Sequence, residues 1–180
     1  MSTQVDIPGY VTGTWAIDAA RSGVSFQSRL AGLSTVRGGF DEVEGTLVTA
    51  ADPRDSSVTA TVRAESVNTR NTRRDEHLRT ADFLDAGPHP TLTFVSTGVR
   101  ADAGAVRVDG ELTLRGNTRP VTLDVEVEEF GADADGTPLV RLVARTAIAR
   151  ADFGVTCGAA GPFIGKKVAI TLRITATKRA

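Results

Sequence analysis

Apolar and polar residues alternate through most of the chain. Near the carboxyl terminus Val168, Ile170, Leu172, Ile174 and Ala176 interleave with Ala169, Thr171, Arg173, Thr175 and Thr177, which is the period of a strand with one apolar face. The same period appears at Val121, Leu123, Val125 and Val127 and at Val58, Ala60, Val62 and Ala64. Shorter examples are Trp15 with Ile17, Val24 with Phe26, Leu92 with Phe94, and Leu112 with Leu114. Turn signals lie between these runs at Asp52-Pro53, Ala103-Gly104, Gly116-Asn117 and Asp135-Gly136, so consecutive strands are predicted to pair antiparallel.

Residues 72–84, TRRDEHLRTADFL, break the alternation. Thr72-x-x-Asp75 reads as a capping signature, Asp75 and Glu76 suit a first helical turn, and Gly87-Pro88 supplies a stop. One short helix is predicted, with Leu78, Ala81 and Leu84 as a narrow apolar stripe and Asp75 to Arg79 as an i,i+4 pair. A weaker helical or 3₁₀ turn is placed near Ala31 to Val36. About eight one-faced strands with almost no helix form either a sandwich or a closed antiparallel barrel, since both hide the apolar face.

The chain has 180 residues, a single-domain length with enough residues for a sizeable core. Net charge is -1, so there is no global field to hold a nucleic acid or an anionic membrane. One cysteine excludes an intramolecular disulfide. The amino terminus lacks the basic and apolar regions of a signal peptide, and no stretch has the length of a membrane span; a cytoplasmic location is expected. Aromatic stacking platforms are hard to build from seven Phe, Trp15 and Tyr10.

Candidate chemistry is sparse. No Ser lies in G-x-S-x-G, and His77 and His89 are the only imidazoles. AGPFIGKK (160–167) has Ala160 for the first glycine of a phosphate loop and Lys167 for its hydroxyl, and a strand pattern follows, so it is read as a solvated strand start. His77, His89, Asp75, Glu76, Asp82 and Asp85 cluster in sequence without metal-ligand spacing, and neither a metal nor a cofactor is assigned. Cys157 lies in the uncharged stretch 153–165 and reads as a small filler. Whether the bore of a barrel is filled or hollow does not follow from composition.

Several motifs nevertheless occur in order: GTWAID (13–18), SGVSF (22–26), VRGGF (36–40), EGTL (44–47), Arg74-Asp75-Glu76-His77-Leu78 with ADFLD (81–85), HPTLTFVST (89–97), GELTLRGNTRPV (110–121) and IARADFG (148–154). With them the chain resembles the YceI-like family of lipocalin-like polyisoprenoid-binding proteins, from about Gly13 to its end. The resemblance implies an all-β fold, a single lipocalin-like antiparallel barrel of about eight strands with one short helix. The barrel would span residues 11–180 behind a loose leader, residues 1–10. It implies non-catalytic binding, storage or transport of a polyisoprenoid, an isoprenoid quinone or a fatty-acyl-type lipid, and a homodimer is compatible with it; charge and hydropathy independently point to no nucleic acid partner and no integral membrane segment. The alternatives are a filled-barrel stress-response or interaction module, and a barrel enzyme of isoprenoid metabolism using His77 with Asp75 or Asp82.

Ligand contacts are expected from one inward phase, comprising Trp15, Phe26, Val62, Phe94, Leu112, Leu114, Ile170 and Leu172. A portal is expected from Leu78, Phe83, Phe153 and Phe163. Arg21 and Arg29 stand where the family usually carries His, so both, together with Arg74 and His77 of the strongest motif, are expected near a head group.

Overall fold

The computed structural model describes residues 7–30, 34–102 and 105–179. Its strands are β1 (Gly13–Ile17), β2 (Gly23–Leu30), β3 (Ser34–Phe40), β4 (Val43–Thr49), β5 (Ser57–Arg63), β6 (Val67–Asn68), β7 (Thr91–Asp102), β8 (Ala105–Leu114), β9 (Asn117–Ala132), β10 (Pro138–Ala149) and β11 (Lys167–Lys178), with one α-helix, α1 (Thr72–Leu78). Eight strands close a ring in the order β1, β4, β5, β7, β8, β9, β10, β11, and β11 returns to β1. Each pairing is antiparallel. Closure leaves no free edge along this ring, so the one-faced strands form a barrel rather than a sandwich.

The wall is completed by strands that change neighbours. The last residues of β11 pair with β1, as in Trp15↔Lys178 and Ile17↔Ala176, whereas its middle pairs with β2, as in Val24↔Leu172 and Gln27↔Ala169. A 3₁₀ turn, Ala19–Arg21, separates the two segments, and the Asp18 side chain accepts from the Ala20 N–H at its start. Ladder bonds at this break are replaced: Asp18 N–H donates to Thr175 O at 2.8 Å, and Thr175 N–H donates to Ser22 Oγ at 3.0 Å. The stretch Asp41–Glu42 breaks β3 from β4 in the same way, so that β3 pairs with β2 and β6 while β4 pairs with β1 and β5.

Trp15 is fully buried where β1 closes the barrel. Its Nε1–H donates to Thr49 Oγ1 at 2.9 Å, and its ring meets Phe130 edge-on at 5.8 Å. Tyr10 extends this end: its hydroxyl donates to Ala50 O at 2.6 Å and its ring meets Phe130 at 5.4 Å. Residues 7–10 of the expected leader therefore lie against the barrel. Gly110 on β8 lets a ring cross the sheet, because a Cβ there would stand 2.4 Å from Phe94 Cζ.

Local readings are corrected in five places. The helix ends at Leu78 and not at residue 84, because Thr80 Oγ1 donates to His77 O at 2.6 Å and the chain turns back through Leu84 N–H to Leu78 O. Its N-cap is Asn71, whose side chain accepts from Arg74 N–H, rather than Thr72. Asp75 turns away from Arg79 and accepts from the Thr69 N–H and hydroxyl at 2.8 and 2.6 Å, while Arg79 Nε donates to Glu65 O. The tight turn after β8 has Arg115 and Gly116 at its centre, at φ 53° and 72°, closed by Leu114↔Asn117. Of the turn placed at Ala31 to Val36, residues 31–33 lie outside the described residues and Ser34 onward is strand. The turn at Ala103-Gly104 also lies outside them.

The outer face carries charge pairs across the strands, including Arg107 opposite Asp124 and a two-point contact of Arg100 with Asp109. Hydrogen bonds from Arg21 hold the Asp133 and Asp18 carboxyls below the usual carboxylate range, and Arg100 does the same to Asp109. A depressed carboxyl pKa stabilises the fold above the unfolded value of about 4, and that stability is lost as pH falls through the lowered value. Melting temperature is therefore expected to be level between about pH 5 and 8 and to fall below about pH 4, as followed by circular dichroism; a rise on acidification would contradict these assignments.

Candidate functional site

Inside the barrel, at the end that carries α1, lies a cavity of about 370 Å³. Its wall is built from alternate residues of successive strands. On β2 these are Val24, Phe26, Ser28 and Leu30, and on β7 and β8 they are Leu92, Phe94, Leu112 and Leu114. Val121 and Leu123 of β9, Ile148 of β10 and Val168, Ile170 and Leu172 of β11 continue the ring. The period-two pattern thus becomes an aliphatic lining. A second cavity of about 120 Å³ lies toward the Trp15 end, and Phe94, Leu123 and Leu172 face both spaces.

The rim combines α1, the turns after it and the segment from residue 150 to 165. Arg150 organises this segment: Nε donates to Gly165 O at 3.0 Å, and the two terminal nitrogens donate to Val155 O and Gly161 O at 2.9 Å and to Ile164 O at 3.2 Å. One guanidinium thus satisfies four carbonyls of a loop with little regular structure, and Arg150 also lines the cavity. Arg115 on the adjacent turn donates to Gly154 O and Ala81 O. Leu30 bridges Ile164, and Cys157 N–H donates to Asp82 O at 2.8 Å.

Polar groups at the rim are mostly engaged with protein. Arg74 donates to the Thr69 hydroxyl at 2.8 Å and to Thr69 O at 2.9 Å. His77 Nε2 is 2.9 Å from Asp82 Oδ2, in a half-exposed pair, with Phe83 edge-on to the imidazole. Cys157 lines the cavity, and burial pushes its thiol up, away from the reactive thiolate. Among the described residues, no three His, Cys, Asp or Glu side chains gather where they could hold a metal.

Phe26, Arg29, Val62, His77, Leu78, Phe83, Phe94, Leu112, Leu114, Ile170 and Leu172 are brought together around the cavity. Three residues expected beside them stand elsewhere. Trp15 is consumed by the closing seam, and Phe153, 1% exposed, packs into the end core with Leu114, Val155 and Cys157. Phe163 is 61% exposed at the end of the 3₁₀ segment Gly158–Phe163 and lies off the lining. Arg21 is also remote from the lining, clamped on the outer surface by Asp18 at 2.7 Å and Asp133 at 2.6 Å. Conversely, Ser28, Thr146 and Arg150 line the cavity although the sequence reading passed over them. Strand phase was the available signal, since Val24, Phe26 and Leu30 share a face with Ser28, and Leu142, Ala144 and Ile148 share one with Thr146 and Arg150.

A closed eight-strand antiparallel barrel around an aliphatic cavity, rimmed by one short helix and an anchored loop, has a lipocalin-like architecture. The YceI-like domain model matches residues 15–176, and the chain belongs to that family. Protein YceI of Escherichia coli O6:H1 is 36% identical over 133 residues, covering 73% of this chain and 70% of the relative. Among solved structures, Burkholderia cenocepacia BcnA is similar with a TM-score of 0.80 at 25% identity, over 89% of this chain and 99% of that one. A polyisoprenoid binding domain from Saccharophagus degradans implicated in plant cell wall breakdown shares the fold with a TM-score of 0.71 at 17% identity, over 94% of this chain and all of that one. Among the described residues, no helix is long and apolar enough to cross a membrane.

Proposed function

We propose that this chain holds a long-chain polyisoprenoid-type amphiphile, a polyprenol or an isoprenoid quinone, in the α1-end cavity as a carrier or store, without altering it chemically. The observation that carries the reading is the aliphatic cavity of about 370 Å³, within the size range of small-molecule sites at roughly 300–1,000 Å³. The polyisoprenoid-binding domain with the same fold supports it. Burial contributes about 0.8 kcal/mol per CH₂, so a tail of ~20 carbons gains roughly 16 kcal/mol before ordering costs are subtracted. Tail burial alone therefore suffices for tight binding, and the rim needs only to select the head. Burial of the Cys157 thiol, which disfavours its thiolate, supports a holding role over a nucleophilic one.

Titration with polyprenols of increasing length tests this reading. Affinity is expected to rise with each isoprene unit until the cavity is filled and then to level off; equal, weak binding at every length would overturn it.

Arg29 stands at the rim, where Gly165 N–H donates to its carbonyl oxygen. A guanidinium there favours a carboxylate head over a quinone. In Arg29→Ala, competition between carboxylate- and quinone-headed lipids of equal tail length is expected to lose its bias toward the carboxylate by several-fold, with total affinity largely kept. Arg29→His is expected to recover the bias only at low pH. Equal selectivity in all three proteins would place the head elsewhere.

A further inference from the structure

Among the described residues, the aliphatic wall contains one fully buried side-chain polar atom without a protein partner. Ser28 Oγ is buried without a hydrogen-bond partner among the described residues, and Ser28 lines the cavity. Its neighbours on the same face of β2 are Phe26 and Leu30, and its cross-strand partner is Val36, so these positions offer no side-chain partner. Most buried hydroxyls are paired, and leaving one unpaired is destabilising. A lone water would gain little at this point, because an ordered buried water needs two to four polar partners. Arg74, His77 and Arg150 of the same lining already have protein partners, and Arg29 and Thr146 are not among the buried unpaired groups.

We infer that Ser28 is the hydrogen-bonding point for the ligand's oxygen-bearing head. On this view the bound lipid carries a hydroxyl or carbonyl oxygen that turns in below the rim to meet Ser28 Oγ, instead of projecting wholly into water. The inference rests on the lipid-holding function proposed above and adds to it the atom of the wall that meets the head, Ser28 Oγ. Serine suits both heads, since its hydroxyl donates to a carbonyl and also accepts from an alcohol. The tail supplies most of the affinity, and Ser28 contributes discrimination between heads.

The test compares phytol, a ketone of the same chain length and the hydrocarbon phytane as probes of the full chain. The proteins are the wild type, Ser28→Ala, Ser28→Val and Ser28→Thr. Removing the hydroxyl in the alanine and valine variants is expected to weaken phytol and the ketone by roughly three- to tenfold while phytane keeps its affinity or improves. Ser28→Thr, which retains the hydroxyl, is expected to keep the preference for the oxygenated probes. Melting temperature is measured alongside, and Ser28→Val is expected to melt at or above the wild type because the unpaired hydroxyl is gone. If only the alcohol or only the ketone responds, the head class narrows to that group and the role of Ser28 stands. If phytol, ketone and phytane change by the same factor, or none changes while all bind, the assignment of Ser28 is overturned and the lipid-holding function is untouched. If none of the three binds the wild type, both readings fall together.

Discussion

Leu112→Trp and Val121→Trp are each expected to lower lipid affinity more than tenfold while the barrel still folds. Both residues face the cavity from neighbouring strands and are only partly buried, so each has free space in front of it rather than packed core. An indole projecting into that space displaces ligand atoms. Losing the burial of about two methylenes costs about 1.6 kcal/mol, already more than tenfold. Fully packed positions would overpack and shift the backbone instead, which is why Leu114, 6% exposed, is a poorer probe of the cavity. Titration with one polyprenol, beside a near-native strand spectrum, checks the expectation. Unchanged affinity in both variants would mean that the ligand lies outside this space.

The opposite dissociation is expected at Trp15. Its indole lies at the seam where β1 joins β11 and β4, with no surface exposed and its N–H bonded to Thr49. Trp15→Ala removes a large ring from the core and leaves the Thr49 hydroxyl short of one partner; losses of about 3–5 kcal/mol are typical for such truncations. Trp15 lines neither cavity. Chemical denaturation is therefore expected to show a large fall in stability, while the fraction still folded binds lipid with near-normal affinity. A variant as stable as the wild type would contradict the role given to the seam. Trp15→Phe, which keeps most of the volume, is expected to lose less.

These three positions show where strand periodicity is informative and where it stops. Alternation specifies which face of a strand is apolar, and closure of the sheet turns that face inward, so Phe94, Leu112, Ile170 and Leu172 follow directly from the pattern. Alternation does not say how far along the barrel axis a residue sits. Trp15 has the inward phase of Phe26, yet it lies at the closed seam and Phe26 at the cavity, because the 3₁₀ turn at Ala19–Arg21 sets the two strands against different lengths of β11. The break at Asp41–Glu42 was equally illegible, since only tertiary pairing distinguishes it from a hairpin turn.

The rim was the least legible part, because its geometry depends on contacts between distant segments. Cap chemistry near Thr72 fitted a helix start, but Thr69 captured the Asp75 carboxylate and Asn71 took the cap. Phe153 and Phe163 looked equivalent in an uncharged glycine-rich stretch. The four-carbonyl grip of Arg150 gives that stretch a fixed course, and the two rings end in core and solvent respectively. Arg21, similarly, is a surface clamp because Asp133 comes to it from 112 residues away.

Native mass spectrometry of the full chain, purified without detergent and then offered a C20 polyprenol, tests the central claim most directly. The account predicts one lipid per chain, either already bound on purification or taken up when offered, and loss of that adduct in Leu112→Trp. A protein that appears only at its own mass and refuses the polyprenol at concentrations far above those of a tight site would contradict it.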